Sequence, residues 1–586
     1  MTNNVVPIFY ACDDAFVKYT IVSLKSMIAN ASRDRRYHVY ILNTEISEDM
    51  TERLLELQND NFEITIQNVS HMLESIQDRL PLRHYYSKTT YYRFFISELF
   101  TEYKKAIYID SDTIVCGDIS ELYDTDIGES YVGAAHEMVM VQTDVYGTYC
   151  EKVVGVDRYN FFNAGIMLIN CEKFREKKVL SRFIELLNVY TFVVTQDEDY
   201  LNLICKDHVY FLDQRWNSEM EGELSYPIEE AKIIHYIMIH KPWHYEDCKH
   251  GDIFWSYAKD SSVYGLLADE LNSYSDEKKE NDKKSAESLM QMALDEIARP
   301  DNYINMLNSS VRDKGRVEVV KRIEEKELSG DFSTDVEDDP PSRELVPGEV
   351  DFLRKKLTSK IKQAYAFSLA KKFVKKITDS GELVIKDVIG VENLKNLDTG
   401  AIITSNHFNA FDSFILHLAY MRSGHKKRKL YRVIREGNYT SFPGFYGYLM
   451  RNFYTLPLSK NRRVMHEFFE ATDTLLKDGN FVLIYPEQSM WWNYRKPKPL
   501  KEGAFTLAMR SGVPVLPCFI TMRDTERLGR DGYPIQEHTV HIGKPIYPNP
   551  ELDSRENVRY MLKENERVWR EIYEREYGMP LVYKTK

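Results

Sequence analysis

Cysteine is scarce and scattered: seven occur among 586 residues, and no two of them form a C-x-x-C pair. This pattern does not suit a disulfide framework and is typical of a reducing compartment. Long apolar segments are lacking as well, because no run of eighteen apolar residues occurs and the first residues combine no basic region with an apolar one. We therefore expect a cytoplasmic protein, peripheral on the inner face of the cell membrane.

Basic residues are not in excess either, since the formal net charge is -13. This charge argues against general nucleic-acid binding, because proteins that bind the phosphate backbone usually carry an excess of Lys and Arg. The remaining composition, 43% hydrophobic and 28% charged, is that of a globular protein. At this length one hydrophobic core rarely suffices, so we expect two or more domains.

Charge is unevenly distributed and indicates where the domains meet. Residues 330–344, GDFSTDVEDDPPSRE, are acidic, contain paired prolines and few apolar residues, and are typical of a linker. Residues 352–377 contain nine Lys or Arg and no Asp or Glu. We predict a first domain at 1–270, a charged helical region with an acidic linker at 271–345, and a second domain at 346–586.

The basic segment 352–377 also has an apolar residue at every fourth position, which predicts a basic amphipathic helix. Two interpretations remain open. The helix lies on an anionic membrane surface, where each basic side chain contributes about 1 kcal/mol to binding. Alternatively, it packs on its own domain and leaves a charged, solvated rim.

The first domain alternates β-type runs with helical ones, which predicts a largely parallel α/β sheet with ligands at the carboxyl ends of its strands. One run, KKAIYID, leads directly into Asp110 and Asp112. Residues two apart on a strand face the same side, so both carboxylates can bind one cation while Ser111 points away. Acidic pairs at strand ends often only begin turns, and the pair alone is a weak signal.

The motifs around this pair resemble glycosyltransferase family 8 over about residues 5–268. The matching segments, in the family's order, are YACDDAFVKYTIVSLKSM, KTTYYRF, FFNAGIMLIN, QDEDYLN, LDQRWN and IIHYIMIHKPW. The resemblance implies a GT-A-type domain with a Rossmann-like mixed sheet, which transfers a hexose from a UDP-sugar with retention and uses Mn²⁺ or Mg²⁺.

The resemblance also implies roles for individual residues. The metal ligands are Asp110, Asp112 and His235. Asp197 and Glu198 are catalytic residues at the donor sugar, and Lys241 offsets negative charge as UDP leaves. The residues implied to bind the nucleotide sugar are Ala11, Asp13, Tyr19, Arg93, Asp110, Ser111, Asn163, Ala164 and Lys241.

Two positions depart from the family's pattern. Glu198 stands where the family has glutamine, which leaves the choice of sugar open. Met238 replaces the glycine of a His-x-x-Gly turn, and we expect its side chain to crowd the phosphates or reshape the loop, which would lower the activity.

The second domain contains the motif NHFNAFD directly after an apolar run. An imidazole accepts a proton from a hydroxyl when a carboxylate holds its other nitrogen, and one helical turn brings His407 and Asp412 together. This spacing often arises by chance. Together with GFYGYLMRNFYTLPLSKNRR, YPEQSM, PLKEGAF and VPVLPCFI, however, the motif resembles the glycerophosphate and lysophosphatidate (PlsC-like) acyltransferases over about residues 383–548.

This second resemblance implies an α/β acyltransferase domain in which His407 is the general base and acyl-CoA or acyl carrier protein is the donor. The acceptor is held by Lys460, Arg462 and Glu487. YPEQSM replaces the common Pro-Glu-Gly-Thr-Arg, and Trp491 and Trp492 follow it, which favours a bulkier or glycosylated lipid acceptor. Ordinary packing is the alternative role for the two tryptophans.

Fusion of the two activities favours one pathway, because tethering keeps an intermediate close. We therefore predict a bifunctional enzyme of glycolipid or lipid-linked glycan synthesis. An alternative is a membrane-associated acyltransferase whose first half binds nucleotide sugars without turnover and acts as a scaffold. A third hypothesis is that the two halves act independently on unrelated substrates.

Overall fold

The computed structural model describes residues 5–70, 88–337, 342–425 and 427–585. They form two compact units, Met1–Leu307 and Asn308–Lys586. The predicted α/β class is confirmed, because each unit contains a seven-stranded mixed sheet together with α-helices. The predicted boundaries at residues 270 and 345 stay a prediction. Pro340 and Pro341 of the acidic segment lie outside the described residues.

The first unit contains ten strands among its described residues. They are β1 (Val5–Ala11), β2 (Arg36–Asn43), β3 (Phe62–Asn68), β4 (Lys105–Ile109), β5 (Thr113–Val115), β6 (Val132–His136), β7 (Phe162–Asn170), β8 (Val209–Phe211), β9 (Ser218–Glu219) and β10 (Ile233–His235). Seven form a sheet in the order β3-β2-β1-β4-β7-β6-β8, while β5, β10 and β9 form a small second sheet. The sheet is parallel from β3 to β4, whereas β7 runs antiparallel to both of its neighbours.

Helices connect these strands. Those of the first unit are α1 (Val17–Asn30), α2 (Glu48–Leu55), α3 (Ile96–Leu99), α4 (Ile119–Asp124), α5 (Met138–Gln142), α6 (Asp144–Tyr149), α7 (Cys171–Glu176), α8 (Val179–Val189), α9 (Asp197–Cys205), α10 (Gly251–Ala258), α11 (Tyr264–Ser273) and α12 (Asp276–Ala298). Helix α13 (Tyr303–Ser310) spans the division between the units. The start of α12 is set by Ser275, whose side chain accepts a hydrogen bond from the backbone N–H of Lys278.

Both faces of the large sheet are buried, as the alternation of side chains along β1 demonstrates. Phe9 and Ala11 pack in one hydrophobic cluster, whereas Ile8 and Tyr10 pack in another. Because successive side chains of a strand point to opposite faces, the two clusters cover the two sides of the sheet. Asp110 lies at the edge of this sheet, directly after β4.

The second unit contains a sheet in the order β11-β17-β16-β12-β15-β13-β14. Its strands are β11 (Val384–Ile389), β12 (Ala401–Thr404), β13 (Leu430–Ile434), β14 (Thr455–Pro457), β15 (Phe481–Ile484), β16 (Val515–Leu528) and β17 (Pro534–Ile542). Its helices are α14 (Lys314–Ser329), α15 (Leu357–Asp379), α16 (Val391–Lys395), α17 (Asp412–Arg422), α18 (Glu436–Thr440), α19 (Gly444–Asn452), α20 (Arg462–Lys477), α21 (Gly503–Ser511) and α22 (Ser554–Tyr577). The strands from β16 to β14 are parallel, so their carboxyl ends share one edge.

Helix α15 contains most of the basic segment that was predicted to be helical. Its later turns bury Ala366 and Ala370 in a hydrophobic cluster of the second unit. Its early turns expose Leu357, Ile361 and Tyr365, which are 73%, 61% and 58% accessible to solvent. Of the helices that the structure describes, none combines the length and the apolar character needed to span a bilayer.

Candidate active sites

The structure brings the three predicted metal ligands of the first unit together. Asp110 directly follows β4, Asp112 precedes β5, and His235 ends β10. Their ligand atoms all lie within 4.8 Å of one another. The Ser111 hydroxyl accepts a hydrogen bond of 2.8 Å from Thr20. The two aspartates therefore face one point. Ser111 and Asp112 lie in a turn between β4 and β5, however, so the convergence does not arise from the alternation along an extended strand that the sequence predicted.

Hydrogen bonds fix the orientation of these ligands. His235 Nδ1 lies 2.9 Å from Asn217 Oδ1, and His235 Nε2 lies 3.2 Å from Asp112 Oδ1. Lys241 donates a hydrogen bond of 2.6 Å to Asp112 Oδ2. Burial alone would raise the pKa of Asp112, but Lys241 and His235 outweigh it and hold this pKa well below its usual range. Asp112 therefore stays a charged ligand.

A divalent cation fits this set of residues. A Cβ added at Gly165 would lie 2.4 Å from His235 Cε1 and 2.8 Å from Asp110 Oδ2, so glycine is required for the ligands to converge. Two carboxylates and an imidazole are a donor set that suits Mn²⁺ or a similar cation.

Arg93 holds the metal-binding strand end and the donor-sugar residues together. Its side chain is buried, and it lies 3.1 Å from Asp110 and 3.2 Å from Asp197. It also donates hydrogen bonds to the backbone carbonyls of Thr90 (2.8 Å) and Ala164. Arg93 therefore positions both carboxylates, and its contact with the nucleotide stays a prediction.

The residues predicted at the donor sugar are acidic and buried together. Burial raises the pKa of Asp197 to about 6, although Arg93 opposes this shift. Glu198 accepts a hydrogen bond of 2.9 Å from the backbone N–H of Ala164, and burial followed by repulsion from Glu137 raises its pKa well above the usual range. Glu137 also accepts a hydrogen bond of 2.6 Å from Asn163. The sequence motifs did not indicate Glu137, which directly follows β6.

The predicted residues of the first unit share one cavity of about 640 Å³. Of this set, Ala164 alone does not line it. Asp13 accepts a hydrogen bond of 3.2 Å from the backbone N–H of Phe16. Tyr19 stacks on Trp243 with ring centroids 3.8 Å apart and donates a hydrogen bond of 2.8 Å to Glu270. Those lining the cavity are Ala11, Asp13, Tyr19, Arg93, Asp110, Ser111, Asp112, Asn163, Asp197, Glu198, His235 and Lys241.

Met238 lines the same cavity in an uncommon backbone conformation. Its φ is +58°, in the left-handed region that glycine adopts without steric cost. A side chain at this φ costs of the order of 1 kcal/mol. The expectation that methionine reshapes this turn stays a prediction, but its backbone is held where glycine would be relaxed.

In the second unit the predicted base and its carboxylate are in contact. His407 Nδ1 lies 2.5 Å from Asp412 Oδ2, at the start of α17. Tyr485, which the sequence motifs did not indicate, donates a hydrogen bond of 2.7 Å to Asp412 Oδ1 and stacks on His407 with ring centroids 4.1 Å apart. Burial, followed by the charge of Asp412, raises the pKa of Tyr485 well above its usual range, so Tyr485 remains a donor.

The three residues predicted to hold the acyl acceptor lie in different surroundings. Glu487 is buried, and its carboxylate accepts hydrogen bonds from the backbone N–H groups of His407 (3.0 Å) and Lys498 (2.9 Å). It therefore braces the loop that carries the base. Lys460 lies between β14 and α20, Arg462 begins α20, and both are exposed. Strand β14 is the third strand from β12 in the sheet order.

The described part of the acidic segment packs beside this loop. Trp491 is fully buried, stacks on Phe332 with ring centroids 5.5 Å apart, and donates a hydrogen bond of 2.9 Å to the carbonyl of Thr334. Asp335 accepts a hydrogen bond of 2.9 Å from the backbone N–H of Met490 and pairs with Arg435. Trp491 therefore has the packing role that was the alternative to a ligand contact.

Each half of the chain matches the model of a known protein family. Residues 7–247 match the family model described as Glycosyl transferase family 8, and residues 387–521 match the one described as Acyltransferase. These matches confirm the two resemblances that the sequence motifs indicated.

Individual relatives match the first half. A protein of Haemophilus influenzae is 30% identical over 211 residues, which are 36% of this chain and 62% of that protein. General stress protein A of Bacillus subtilis is 26% identical, over 41% of this chain and 88% of that protein. A solved structure of the galactosyltransferase LgtC with donor and acceptor sugar analogues is 27% identical, with a TM-score of 0.36, over 44% of this chain and 96% of that one.

The first prediction concerns the cation. Asp112→Asn removes one charged ligand and the partner of Lys241, so Mn²⁺ affinity, measured by calorimetry, should fall at least about 100-fold. Asp126→Asn, at an exposed position outside the cavity, should bind Mn²⁺ like the unaltered protein. Equal affinities in a folded Asp112→Asn protein would refute the proposed ligand set.

The second prediction concerns Tyr485. Tyr485→Phe removes the hydrogen bond that holds Asp412, so kcat for thiol release from acyl-CoA should fall about 3- to 10-fold with little change in KM. Tyr431→Phe, on the neighbouring strand β13, is the matched control. An unchanged kcat, or a change confined to KM, would contradict a role for Tyr485 in positioning the base.

Proposed function

We propose that this chain, which carries a glycosyl transferase family 8 domain and an acyltransferase domain, is a bifunctional enzyme of glycolipid or lipid-linked glycan synthesis. The first domain transfers a hexose from a UDP-sugar with retention, and the second O-acylates a lipid acceptor from acyl-CoA or acyl carrier protein. One observation carries the proposal: each domain has its reactive groups in contact, with Asp110, Asp112 and His235 converging within 4.8 Å and His407 lying 2.5 Å from Asp412.

In glycosyl transfer, Mn²⁺ or Mg²⁺ held by the Asp110, Asp112 and His235 side chains would supply positive charge to the diphosphate. Lys241, already bound to Asp112, adds a second positive charge on the side of the leaving group. The acceptor oxygen bonds to C1 of the sugar as the bond from C1 to the diphosphate oxygen breaks. The proton of the acceptor hydroxyl passes to the departing diphosphate, so the two bonds lie on the same face and configuration is retained.

In acyl transfer, His407 is the general base. Its Nδ1 donates to Asp412, which leaves Nε2 to accept the proton of the acceptor hydroxyl. The hydroxyl oxygen then bonds to the thioester carbonyl carbon, and the thiolate leaves with the electron pair of the carbon–sulfur bond. Lys460 and Arg462 supply positive charge for an extended acceptor head group, and Glu487 holds the backbone of the base.

A membrane surface is the third partner that we propose. Leu357, Ile361 and Tyr365 form an exposed apolar stripe along the first half of α15, and exposed lysines flank it. Apolar side chains with basic neighbours favour the interface of an anionic bilayer. Phe445 and Tyr446, which pack against Phe373 of the same helix, are also partly exposed.

One observation favours the alternative function, in which the first domain binds nucleotide sugars without turnover. Met238 occupies the left-handed conformation that suits glycine, and its side chain lines the donor cavity. In that case the acyltransferase would be the single active enzyme of the chain.

The third prediction tests the two activities together by mass spectrometry of lipids from cells that produce the intact chain or a variant. His407→Ala removes the base, so a glycosylated, under-acylated lipid should accumulate. Asp110→Ala removes a metal ligand, so the sugar should be absent from the product. Asp126→Ala and His466→Ala, at exposed positions, are the matched controls.

The outcomes separate the hypotheses. Lipid profiles identical to those of the intact chain in both variants would refute the bifunctional proposal. A change with His407→Ala alone, together with UDP-sugar binding without turnover, would favour the non-catalytic first domain. Changes in two unrelated lipids would indicate independent activities.

The fourth prediction concerns the membrane. The intact protein should bind phosphatidylglycerol-containing vesicles in sedimentation assays more tightly than vesicles of phosphatidylcholine alone. Replacing Leu357, Ile361 and Tyr365 with serine removes the apolar stripe and should weaken this binding about tenfold or more. Leu266→Ser, at an exposed position on α11, should have no effect. Equal binding by the triple variant would refute the proposed surface.

A further inference from the structure

The cavity of the first unit is lined by charged and by apolar side chains. The charged ones include Asp112, Lys241, Glu137 and Asp282. Among the apolar ones, Met140, Tyr146 and Leu289 belong to one hydrophobic cluster, and Val139 and Met238 pack against it, so these side chains share one packed surface. We call this surface the apolar wall and define it by Val139, Met140, Tyr146, Met238, Ala286 and Leu289, all of which line the cavity.

We propose that the apolar wall binds an alkyl or acyl chain of the sugar acceptor while the acceptor's hydroxyl lies at the donor sugar. This inference rests on the proposed glycosyl transfer and deepens it, because it assigns the acceptor to the amphiphiles rather than to free sugars. Polar and apolar lining residues are close together in the chain here, since Met238 follows His235 by three residues and both line the cavity.

The backbone conformation of Met238 supports the proposal that the apolar wall binds an alkyl or acyl chain. The residue lies at φ +58°, where glycine is favoured, yet the chain places a methionine there and packs its side chain against the wall cluster. Because glycine would avoid this backbone cost, we infer that the methionine side chain itself has a function at position 238. The flexible thioether of methionine adapts to apolar ligands of differing shape, which suits a chain-binding surface.

Helix α12 supplies the other side of the wall. Ala286 and Leu289 are three positions apart and therefore lie on one face of the helix, and both line the cavity. The helix is anchored at both ends, because Asp282 accepts hydrogen bonds from Tyr245 (2.9 Å) and Tyr274 (2.7 Å), and Glu296 accepts one from Tyr190. The wall is thus held in place before any ligand binds.

Helix α12 lies beyond residue 247, where the match to the glycosyl transferase family ends. The wall therefore combines residues inside the matched region with a helix that follows it. Met140, Tyr146 and Leu289 are already buried, whereas Val139, Met238 and Ala286 are partly exposed. A free sugar in the cavity would leave these three side chains partly in water. An alkyl chain would cover them, and burial of apolar surface favours its binding.

The test compares octyl glucoside with methyl glucoside, which differ only in the chain. Calorimetry with UDP and Mn²⁺ present measures binding without requiring turnover. We expect octyl glucoside, below its micellar concentration, to bind the intact protein about tenfold or more tightly than methyl glucoside. Leu289→Ser and Met238→Gly should each reduce the ratio of the two affinities severalfold. Glycine relaxes the backbone at position 238, so misfolding would not explain a reduced ratio in Met238→Gly.

Leu266→Ser, on α11 and outside the cavity, should keep the ratio of the intact protein. A ratio near one for the intact protein, or a ratio that neither wall variant changes, would overturn the inference. UDP release from UDP-sugars is measured separately in the same preparations. Absence of UDP release with every acceptor would refute the proposed glycosyl transfer, whereas the binding ratio still decides whether the wall takes an alkyl chain.

Discussion

The burial of charged side chains at strand ends is the constraint on which both units depend. An isolated ion inside a protein costs several kcal/mol, so each one needs a partner. In the first unit Arg93 pairs with Asp110 and Asp197, and Lys241 pairs with Asp112. These pairs do more than offset desolvation, because they fix the orientation of the carboxylates that we propose to hold a cation and to contact a donor sugar.

The sequence predicts the parts of each site that are local in the chain. An apolar run that stops at Asp110 predicts a strand that ends at two carboxylates, and the short spacing of His407 and Asp412 predicts their contact. The structure makes these contacts through a turn at 111–112 and a loop and turn at 407–411, and not through an extended strand or a helical turn. Partners that are distant in the chain give no such signal. Tyr485 is 73 positions from Asp412 in the chain. It directly follows the apolar strand β15, and nothing in that local sequence indicates that its hydroxyl donates a hydrogen bond to Asp412.

Composition is a poor guide where a few apolar residues decide the structure. Acidic residues and prolines predict a linker at 330–344, yet in its described part Phe332 packs on Trp491 and Asp335 binds the backbone of Met490. The partners of these contacts lie more than a hundred residues away in the chain, so neither composition nor periodicity reveals them. The same limit applies to α12. Its sequence pattern predicts a helix but does not reveal that Leu289 lines a cavity.

The proposed wall and the exposed stripe of α15 together bear on why two transferase domains share a chain. A lipid intermediate gains about 0.8 kcal/mol for each buried CH₂ group, so it leaves a binding site for a bilayer far more readily than for water. On these proposals, a lipid intermediate would pass from one site to the other through the membrane surface and would need no channel. Tethering would then act by keeping both domains at the same membrane, within reach of each other's product. The exposed side chains of Leu357, Ile361 and Tyr365 are the proposed membrane contact that would hold both domains there.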